Sequence, residues 1–307
     1  MILQMRTGIA GASGYAGAEL VRLIDGHPVL ELAEVQARSG GFDPLDVEAL
    51  IGCDIAFLAL PHGASGEFGA RLASSGTPVV DLGSDFRLDP DWVYGLPELN
   101  RDAVREASRI ANPGCYATAA ILALAPLAEA GLIAGHPTID GKSGVSGAGR
   151  EPSVKNHVSE VSGGVQPYTP TGHRHIAEIE RTLAGLAGNE LRVTFTPHLV
   201  PISRGLEVTC YVQLARTLTQ PEAEQLYRDR YAGEPFALVT QTAHPGELHG
   251  ANACHLGIFI DERTNTAIAV AAIDNLVKGA AGQAIQNANL VLGLDETLGL
   301  TARGLRT

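Results

Sequence analysis

A cysteine that follows a proline–glycine turn is the residue of this 307-residue chain best placed to do chemistry. Pro113 and Gly114 do not fit inside a helix, and the apolar run after them predicts a helix over 117–130. Cys115 therefore lies at or next to a helix N-terminus, where unpaired backbone N–H groups favour an anion. The thiolate is the nucleophilic form of cysteine. We expect Cys115 to be a nucleophile assisted by a histidine, against the alternative of a small buried core residue.

Three phased glycines near the start of the chain indicate a second chemical site. A weakly alternating segment, Met5–Ala10, precedes the stretch Gly11–Gly17, and a helical pattern over 18–25 follows it. Strand, glycine-rich turn and helix form the context of a dinucleotide-binding loop, the alternative being an ordinary strand–helix connection. Gly11 would permit the tight turn, Gly14 the approach of a pyrophosphate and Gly17 the packing of helix on strand. The residues expected to contact the cofactor are Gly11, Ser13, Gly14, Tyr15 and Gly17.

The end of the next predicted strand indicates which dinucleotide binds. Sites for NAD usually place an acid there, which hydrogen-bonds the ribose 2′-hydroxyl. In this chain Arg38 and Ser39 follow the strand predicted over 31–37, and both suit a 2′-phosphate. Glu34 competes with them but lies within the strand. The sequence therefore predicts NADP(H) as the cofactor.

The pattern of secondary structure changes near residue 114. Up to residue 111 strands alternate with helices, which is typical of a parallel sheet, and afterwards strands prevail. The predicted strands of the second part are 138–142, 191–196, 206–214, 255–261 and 266–273. The predicted fold class is α/β: a Rossmann-type parallel sheet domain plus an α+β substrate domain with a mostly antiparallel sheet. The predicted limits are 1–113 for the NADP-binding domain, 114–273 for the catalytic domain and 274–307 for a C-terminal helix that returns to the first domain.

Composition narrows the class of partner and the compartment. A formal charge of −12 argues against nucleic acid as a partner. Apolar runs stop short of a membrane span, and the first residues lead into a strand without the features of a secretory signal. The four cysteines, Cys53, Cys115, Cys210 and Cys254, lie far apart without a Cys-x-x-Cys pair. We expect a cytoplasmic enzyme of a small molecule, with no metal and no membrane partner, that meets anions through arginines within its motifs.

Several segments together resemble the N-acetyl-gamma-glutamyl-phosphate reductases, in the wider aspartate-semialdehyde dehydrogenase-like group. The most specific are N-P-G-C-Y-A-T at 112–118, H-R-H at 173–175 and D-N-L-V-K-G-A-A-G-Q at 274–283. The resemblance implies NADPH-dependent reduction of an acyl phosphate to an aldehyde in arginine biosynthesis, through a thioester on Cys115. We also expect a homo-oligomer, either a dimer or a tetramer.

The same resemblance assigns further residues. It implies that the base is His173 or His175; because residues two apart on a helix do not share a face, we expect only one to meet Cys115. His173 is favoured because it stands at the predicted helix start. Pro61 and Asn275 are expected at the cofactor. The candidates for binding the substrate's phosphate and carboxylate are Arg87, Ser146, Arg150 and Arg204, with Lys155 and Arg174 as weaker ones.

Two departures from the family pattern bear on the substrate. The stretch between Arg38 and Cys53 is short, and Ile176-Ala177-Glu178 stands where the family often has Thr-Pro-Glu. The second departure is similar to sister reductases of lysine biosynthesis, which act on aminoadipyl phosphate attached to an acidic carrier protein. A net charge of −12 does not favour the binding of an acidic carrier protein, so the free acetylated substrate is the preferred hypothesis. A different semialdehyde dehydrogenase of this group and a non-catalytic NADP-sensing regulator compete with both of these hypotheses.

Overall fold

The chain divides into two compact units. The computed structural model describes residues 4–151, 154 and 157–305, without the side chain of Val158. As far as their residues are described, the first unit comprises Met1–Gly114 with Gly279–Thr301, and the second comprises Cys115–Lys278 with Ala302–Thr307.

The first unit is a six-stranded parallel sheet flanked by helices. Its strands are β1 (Met5–Ala10), β2 (Leu30–Gln36), β3 (Ile55–Leu58), β4 (Val79–Asp81), β5 (Val93–Tyr94) and β6 (Arg109–Ala111). They lie in the order β2-β1-β3-β4-β6-β5, and every pair is parallel. Its helices are α1 (Tyr15–Asp25), α2 (Val47–Leu50), α3 (Gly66–Ser75), α4 (Pro97–Glu106) and, from the end of the chain, α9 (Gly282–Val291). The predicted Rossmann-type parallel sheet is confirmed.

Parallel pairing gathers the predicted cofactor residues at one edge of this sheet. The central strand β3 is buried along its whole length, as its continuous apolar run predicts. Because the strands run in one direction, the loops that follow β1, β2, β3 and β4 all leave at the same edge. Those loops carry the glycine stretch, Arg38 with Ser39, Pro61 and Arg87.

The second unit is a seven-stranded mixed sheet with helices. Its strands are β7 (Ile133–Ser143), β8 (Gln166–Pro167), β9 (Thr194–Leu199), β10 (Leu206–Leu214), β11 (Ala237–Val239), β12 (Cys254–Asp261) and β13 (Thr266–Ile273). In the order β11-β12-β13-β10-β7-β9-β8 only β11–β12 and β7–β9 pair in parallel. The predicted, mostly antiparallel sheet is therefore confirmed. The helices of this unit are α5 (Cys115–Glu129), α6 (Val158–Val161), α7 (His175–Ala187) and α8 (Gln220–Arg230).

Helix α5 is buried on nearly every side and continues through a proline. Residues 116–128 are all buried, between the sheet and α7. Pro126 has no N–H for the carbonyl of Leu122, which would leave that carbonyl without its helical partner. The hydroxyl of Tyr231 donates to the Leu122 oxygen at 2.5 Å instead, so the helix does not break. No helix among the described residues has the length and apolarity needed to cross a bilayer.

Candidate active site

Cys115 is the first residue of α5, at the helix end that the sequence predicts. Its side chain is half-buried, whereas Cys53, Cys210 and Cys254 are buried, and all four are free thiols. The first turn of α5 carries no acidic residue that would oppose an anion there. The position therefore favours a thiolate more than the other three positions do.

Aromatic and imidazole rings surround the residue that follows the cysteine. The Tyr116 ring lies 6.1 Å from the His173 ring and 6.2 Å from the His175 ring, and the two imidazoles lie 4.7 Å apart, all between centroids. Tyr168 stands 6.0 Å from His173 on another side. The two predicted histidines thus cluster around the residue that follows Cys115, in the second unit.

The helix after these histidines begins later than the sequence predicts. Helix α7 starts at His175 and not at His173, so His173 lies outside the helix. Its Nδ1 accepts a hydrogen bond from the His175 amide at 3.2 Å, which caps the helix from a side chain that the pattern does not reveal. The argument that the two rings cannot share a side is therefore wrong, and both rings contact Tyr116.

The two imidazoles have different surroundings. His175 is buried, and its Nε2 lies 3.8 Å from a carboxylate oxygen of Glu178, which is also buried. His173 uses Nδ1 as an acceptor, so in the neutral ring the proton resides on Nε2.

Two tyrosine hydroxyls next to Cys115 remain protonated near neutral pH. Burial, mainly, raises the pKa of Tyr168 to about 12, with the charge of Cys115 adding to the rise and Tyr116 and Arg174 opposing it. Burial likewise raises the pKa of Tyr116. The Tyr116 hydroxyl donates to the His198 carbonyl at 3.2 Å. The Tyr116 proton is thus engaged by a carbonyl, and the Tyr168 hydroxyl is a hydrogen-bond donor close to Cys115.

A second cluster in the same unit joins three predicted ligand residues. Asn275 donates from Nδ2 to Ser146 Oγ at 3.0 Å and accepts at Oδ1 from the Gly205 amide at 2.7 Å. Arg204 Nε forms an ion pair of 2.6 Å with Asp274 Oδ2. The structure thus brings Ser146, Arg204 and Asn275 together, and it places Asn275 within the second unit.

The buried carboxylate of Asp274 organises this cluster. Its Oδ1 accepts hydrogen bonds from the amides of Leu276 and Val277 at 2.9 and 3.3 Å, which caps the turn after it. That turn, Val277–Ala281, is π-helical before α9 begins. The Oδ2 of Asp274 also accepts a hydrogen bond from the Gly250 amide at 2.7 Å.

Two of the remaining substrate candidates are exposed. Arg150 is exposed just beyond the 3₁₀ turn Val145–Ala148, which holds Ser146. Arg174 is exposed and acts electrostatically on Tyr168. Lys155 lies outside the described residues.

The glycine loop has the local geometry of an anion cradle. Gly11 has a φ of +102°, and a Cβ built there would lie 2.3 Å from the Ala59 oxygen. A Cβ on Gly17 would lie 2.1 Å from the Gly11 oxygen, whereas a Cβ on Gly14 would meet nothing closer than 3.6 Å. Helix α1 starts with no side-chain cap and no acid in its first turn, so its first amides can bind an anion.

The residues after β2 lie beside this cradle. Ser39 Oγ is 3.5 Å from Ser13 Oγ, and Arg38 is exposed next to it. Tyr15, the first residue of α1, is also exposed. Two hydroxyls and a guanidinium near uncapped amides suit a phosphorylated dinucleotide, so the residues present fit the cofactor that the sequence predicts.

Pro61 belongs to a loop that an acid holds in place. Asp85 accepts from the amides of Gly63 and Ser65 at 2.8 and 2.9 Å and lies 3.3 Å from His62 Nδ1. His62 also contacts the Ser84 hydroxyl. The loop after β3 is therefore fixed by the loop after β4, in the first unit.

Arg87, predicted to bind the substrate, is a buried residue that contacts the main chain. It is 8 % exposed; its Nε donates to the Asn112 carbonyl at 3.0 Å and its Nη2 to the Leu82 carbonyl at 3.2 Å. These bonds hold the strand end that precedes the Pro113–Gly114 turn. A phosphate-binding role for Arg87 stays a prediction.

Reasoning from the sequence did not single out Tyr168, Glu178 or Asp85 as members of the site. An isolated tyrosine in a loop carries no spacing signal. The acid of the H-R-H-x-x-E stretch could have been found, because residues three apart on a helix share a face. Asp85 follows a buried strand, which is the one available signal for a loop-holding acid.

Two families of domain match the chain. Residues 6–107 match the semialdehyde dehydrogenase NAD binding domain, and residues 115–275 match the semialdehyde dehydrogenase dimerisation domain. Among solved structures, aspartate semialdehyde dehydrogenase II from Vibrio cholerae has a TM-score of 0.76 at 18% identity, over 94% of this chain and 98% of that one. The enzyme from Francisella tularensis has a TM-score of 0.74 at 17% identity, over 94% and 100%. These likenesses show the fold.

Relatives of closer sequence share one name. N-acetyl-gamma-glutamyl-phosphate reductase from Halorhodospira halophila is 45% identical over 96% of this chain and 98% of that protein. The reductases of Desulforudis audaxviator and Moorella thermoacetica are 44% and 42% identical, each over 98% of this chain and 99% of theirs. The last alignment runs over 345 positions against 307 residues here, so that relative has stretches that this chain lacks. The chain belongs to the N-acetyl-gamma-glutamyl-phosphate reductase family.

Proposed function

We propose that this protein reduces N-acetylglutamyl 5-phosphate to N-acetylglutamate 5-semialdehyde and phosphate with NADPH, in arginine biosynthesis. The observation that carries the proposal is the single half-buried cysteine at the start of α5, followed by a tyrosine whose ring contacts two histidines. We also propose that the first unit binds the dinucleotide and the second binds the substrate. The cytoplasm, which keeps thiols reduced, suits the free thiol of Cys115.

The chemistry begins at the Cys115 sulfur. As a thiolate it attacks the acyl carbon of the substrate, the bond to phosphate breaks, and a thioester forms. Bound NADPH supplies the hydride that reduces this thioester. Release of the aldehyde then returns Cys115 to its starting state. The hydroxyl of Tyr168 and the helix amides are donors that can stabilise negative charge near the sulfur.

The two histidines are suited to different halves of the proton transfer. His173 carries its neutral proton on Nε2, which suits donation to an oxygen of the substrate. Taking the thiol's proton would fit His175, whose ring lies beside the Glu178 carboxylate that would stabilise an imidazolium. The alternative is that His173 is the base. Its Nε2 would then have to be unprotonated, which places the proton of the neutral ring on Nδ1 and breaks the hydrogen bond from the His175 amide.

Phosphate and carboxylate binding we assign to Ser146, Arg204 and Arg150, with Arg87 on the phosphate side. The ion pair with Asp274 fixes the guanidinium of Arg204, and Asn275 fixes the Ser146 hydroxyl. Groups held in this way lose little entropy when they bind an anion.

NADP(H) rather than NAD(H) is proposed from Arg38 and Ser39, beside Ser13. Arg38→Ala should weaken NADPH binding about tenfold or more, as expected for the loss of a charge-assisted contact, and change NADH binding little. Fluorescence titration of both cofactors measures this. Arg105→Ala on α4 removes an exposed arginine elsewhere and controls for net charge. Equal losses for NADPH and NADH in Arg38→Ala would remove Arg38 from this role.

The substrate is tested by running the reaction backwards. The protein, NADP⁺ and phosphate are given N-acetylglutamate semialdehyde, aspartate semialdehyde or a carrier-linked aminoadipate semialdehyde, and NADPH is followed by absorbance. Phosphate-dependent NADPH formation with the first compound alone supports the proposal. Formation only with the carrier-linked compound would move the protein to lysine biosynthesis. No formation with any of them, despite NADPH binding, would favour a cofactor-sensing regulator.

We further propose that the enzyme is a homodimer that pairs through the outer face of the second unit's sheet. The register aligns Phe259, Ile268 and Tyr211 side by side on β12, β13 and β10. Phe259 and Tyr211 are 42% and 43% exposed. The opposite face of these strands packs on α5 and α8. Exposed aromatic side chains aligned across a sheet suit a protein partner.

Charges on the same face suit a second copy of the chain. Lys142 Nζ lies 3.0 Å from Asp140 Oδ2 and 3.8 Å from Glu207 Oε1, and His198 Nδ1 lies 3.0 Å from Asp140 Oδ1. A patch that contains both signs can complement itself across a two-fold axis. Residues 115–275 also match a domain described as a dimerisation domain.

A further inference from the structure

Two asparagines that are far apart in the sequence meet just before the nucleophile. Asn112 ends the segment after β6, and Asn287 lies in the middle of α9; they are 1% and 0% exposed. Asn287 Nδ2 donates to Asn112 Oδ1 at 3.0 Å and to the Gly95 carbonyl at 2.9 Å. Asn112 Nδ2 in turn donates to the Ala280 carbonyl at 3.2 Å. Because a main-chain carbonyl can only accept, the orientation of both amides is determined.

The main chain of Asn112 is held as firmly as its side chain. Its N–H donates to the Asp81 carbonyl at 2.8 Å, and its carbonyl accepts from Arg87 Nε at 3.0 Å. Every polar group of Asn112 therefore has a partner within the first unit. Only Pro113 and Gly114 separate this residue from Cys115, and the proline ring fixes one of the intervening torsions.

The amide at position 287 acts through its nitrogen. Its Oδ1 is buried and accepts no hydrogen bond from the part of the chain that the structure describes. A leucine of similar shape would remove this oxygen, but it would leave the Asn112 Oδ1 and the Gly95 carbonyl without the Asn287 donor. Close packing supports the Nδ2 contact, since a Cβ on Gly95 would lie 2.4 Å from this nitrogen. The amide is thus explained by the two acceptors that it orients.

We propose that Asn287 is a positioning residue of the reaction, which holds Asn112 and thereby the Pro113–Gly114 turn that delivers Cys115 to the start of α5. The inference rests on the proposed function, because it takes Cys115 as the nucleophile. Asn287 needs no contact with substrate or cofactor for this role. Its effect passes through Asn112 alone.

The chain offers a matched control two residues further along α9. Asn289 is also fully buried on α9, donates from Nδ2 to the carbonyls of Glu296 and Leu298 at 3.3 and 2.9 Å, and has an Oδ1 that accepts no hydrogen bond from described residues. Asn287→Leu and Asn289→Leu thus remove equivalent amides, of which only one orients Asn112. Both variants are compared in thermal midpoint, NADPH affinity, kcat and the iodoacetamide alkylation rate of the Cys115 peptide, followed by mass spectrometry.

The expected result is a split between the variants. Asn287→Leu lowers kcat and the Cys115 alkylation rate about tenfold to a hundredfold with NADPH affinity kept, the range for a nucleophile misplaced by a fraction of an ångström to one ångström. Asn289→Leu, at a similar loss in thermal midpoint, keeps both rates within about twofold. Equal rates in the two variants would overturn the proposal.

A second variant and a second control keep the test decisive. If Asn287→Leu does not fold, Gly95→Ala displaces the Asn287 side-chain amide without removing it. This variant should lower kcat and the Cys115 alkylation rate, and unchanged rates would overturn the proposal. Turnover retained in Cys115→Ala would refute the thioester mechanism of the proposed function, whatever the result for Asn287. The alkylation rate reports the position of the thiol whether or not that thiol is the nucleophile.

Discussion

At the scale of single residues, much of the polar chemistry of this chain serves to hold other groups in place. Arg204 is paired with buried Asp274, Asn275 is bonded to Ser146 and Gly205, and Arg87 donates to two carbonyls. Side chains fixed in this way present their remaining donors in set directions. With a net charge of −12, binding an acidic substrate depends on such local arrangements.

Asp81 provides a test of electrostatics by pH. It ends β4 fully buried, and burial raises the pKa of its carboxyl from 3.8 to about 6. Because the pKa is raised in the folded state, the ionised carboxylate costs stability above pH 6, and this cost disappears as the pH falls from 6 towards 4. Two pKa units correspond to about 3 kcal/mol. Asp81→Asn should therefore raise the free energy of unfolding by about that much at about pH 7.5 and by little at about pH 4.

Urea unfolding of both proteins at the two pH values measures this difference. Asp295→Asn is a control of opposite sign, because hydrogen bonds from Thr297 lower the pKa of Asp295 and its replacement should cost stability at the higher pH. A gain from Asp81→Asn that is equal at both pH values would show that shape, and not ionisation, is responsible.

At the scale of elements, two glycines of the same loop should fail in different ways. A Cβ on Gly17 would collide with the Gly11 oxygen at 2.1 Å, so Gly17→Ala should destabilise the protein by about 1–3 kcal/mol. A Cβ on Gly14 would find open space to 3.6 Å, so Gly14→Ala should keep the thermal midpoint and weaken NADPH binding. Melting curves and cofactor titration compare them. If Gly14→Ala leaves NADPH affinity intact, no pyrophosphate lies beside Gly14.

Strands were easier to predict from the sequence than helix starts. The bounds of β1, β10 and β13 agree with prediction, because alternation and burial follow directly from residue type. The predicted start of α7 is wrong, because the His173 ring caps the helix by accepting a hydrogen bond from the His175 amide. The helix predicted over 117–130 does continue through Pro126, where a proline would normally end a helix. The Tyr231 hydroxyl, more than a hundred residues away, binds the carbonyl that the proline leaves without its helical partner.

The residues of the candidate site also differ in whether local sequence signals predict them. Cys115 at a helix start follows from Pro113, Gly114 and an apolar run, which are local signals. That Arg87 holds a main-chain carbonyl, or that Asn287 meets Asn112, follows from no spacing, because the acceptors belong to distant segments. Resemblance to a family names such residues without saying what they contact.

At the scale of the whole molecule, the outer face of the second sheet predicts a dimer. Tyr211→Asp places a charge among Phe259 and Ile268 and should convert the dimer to a monomer, because an unpaired charge at an interface centre costs several kcal/mol, that is more than about a hundredfold in affinity. Light scattering coupled to size exclusion measures the mass. Val165→Asp, at another exposed apolar residue, is the control. A dimer that survives Tyr211→Asp would mean that pairing uses another surface.

The acyl group that we propose on Cys115 can be detected directly. The protein is mixed with N-acetylglutamyl 5-phosphate without NADPH, quenched in acid and analysed by peptide mass spectrometry. We predict that the peptide containing Cys115 gains the mass of one N-acetylglutamyl group, that NADPH added before the quench removes it, and that Cys115→Ala shows neither adduct nor turnover. Turnover in Cys115→Ala, or an adduct on another residue that NADPH removes, would show that Cys115 does not carry the acyl group.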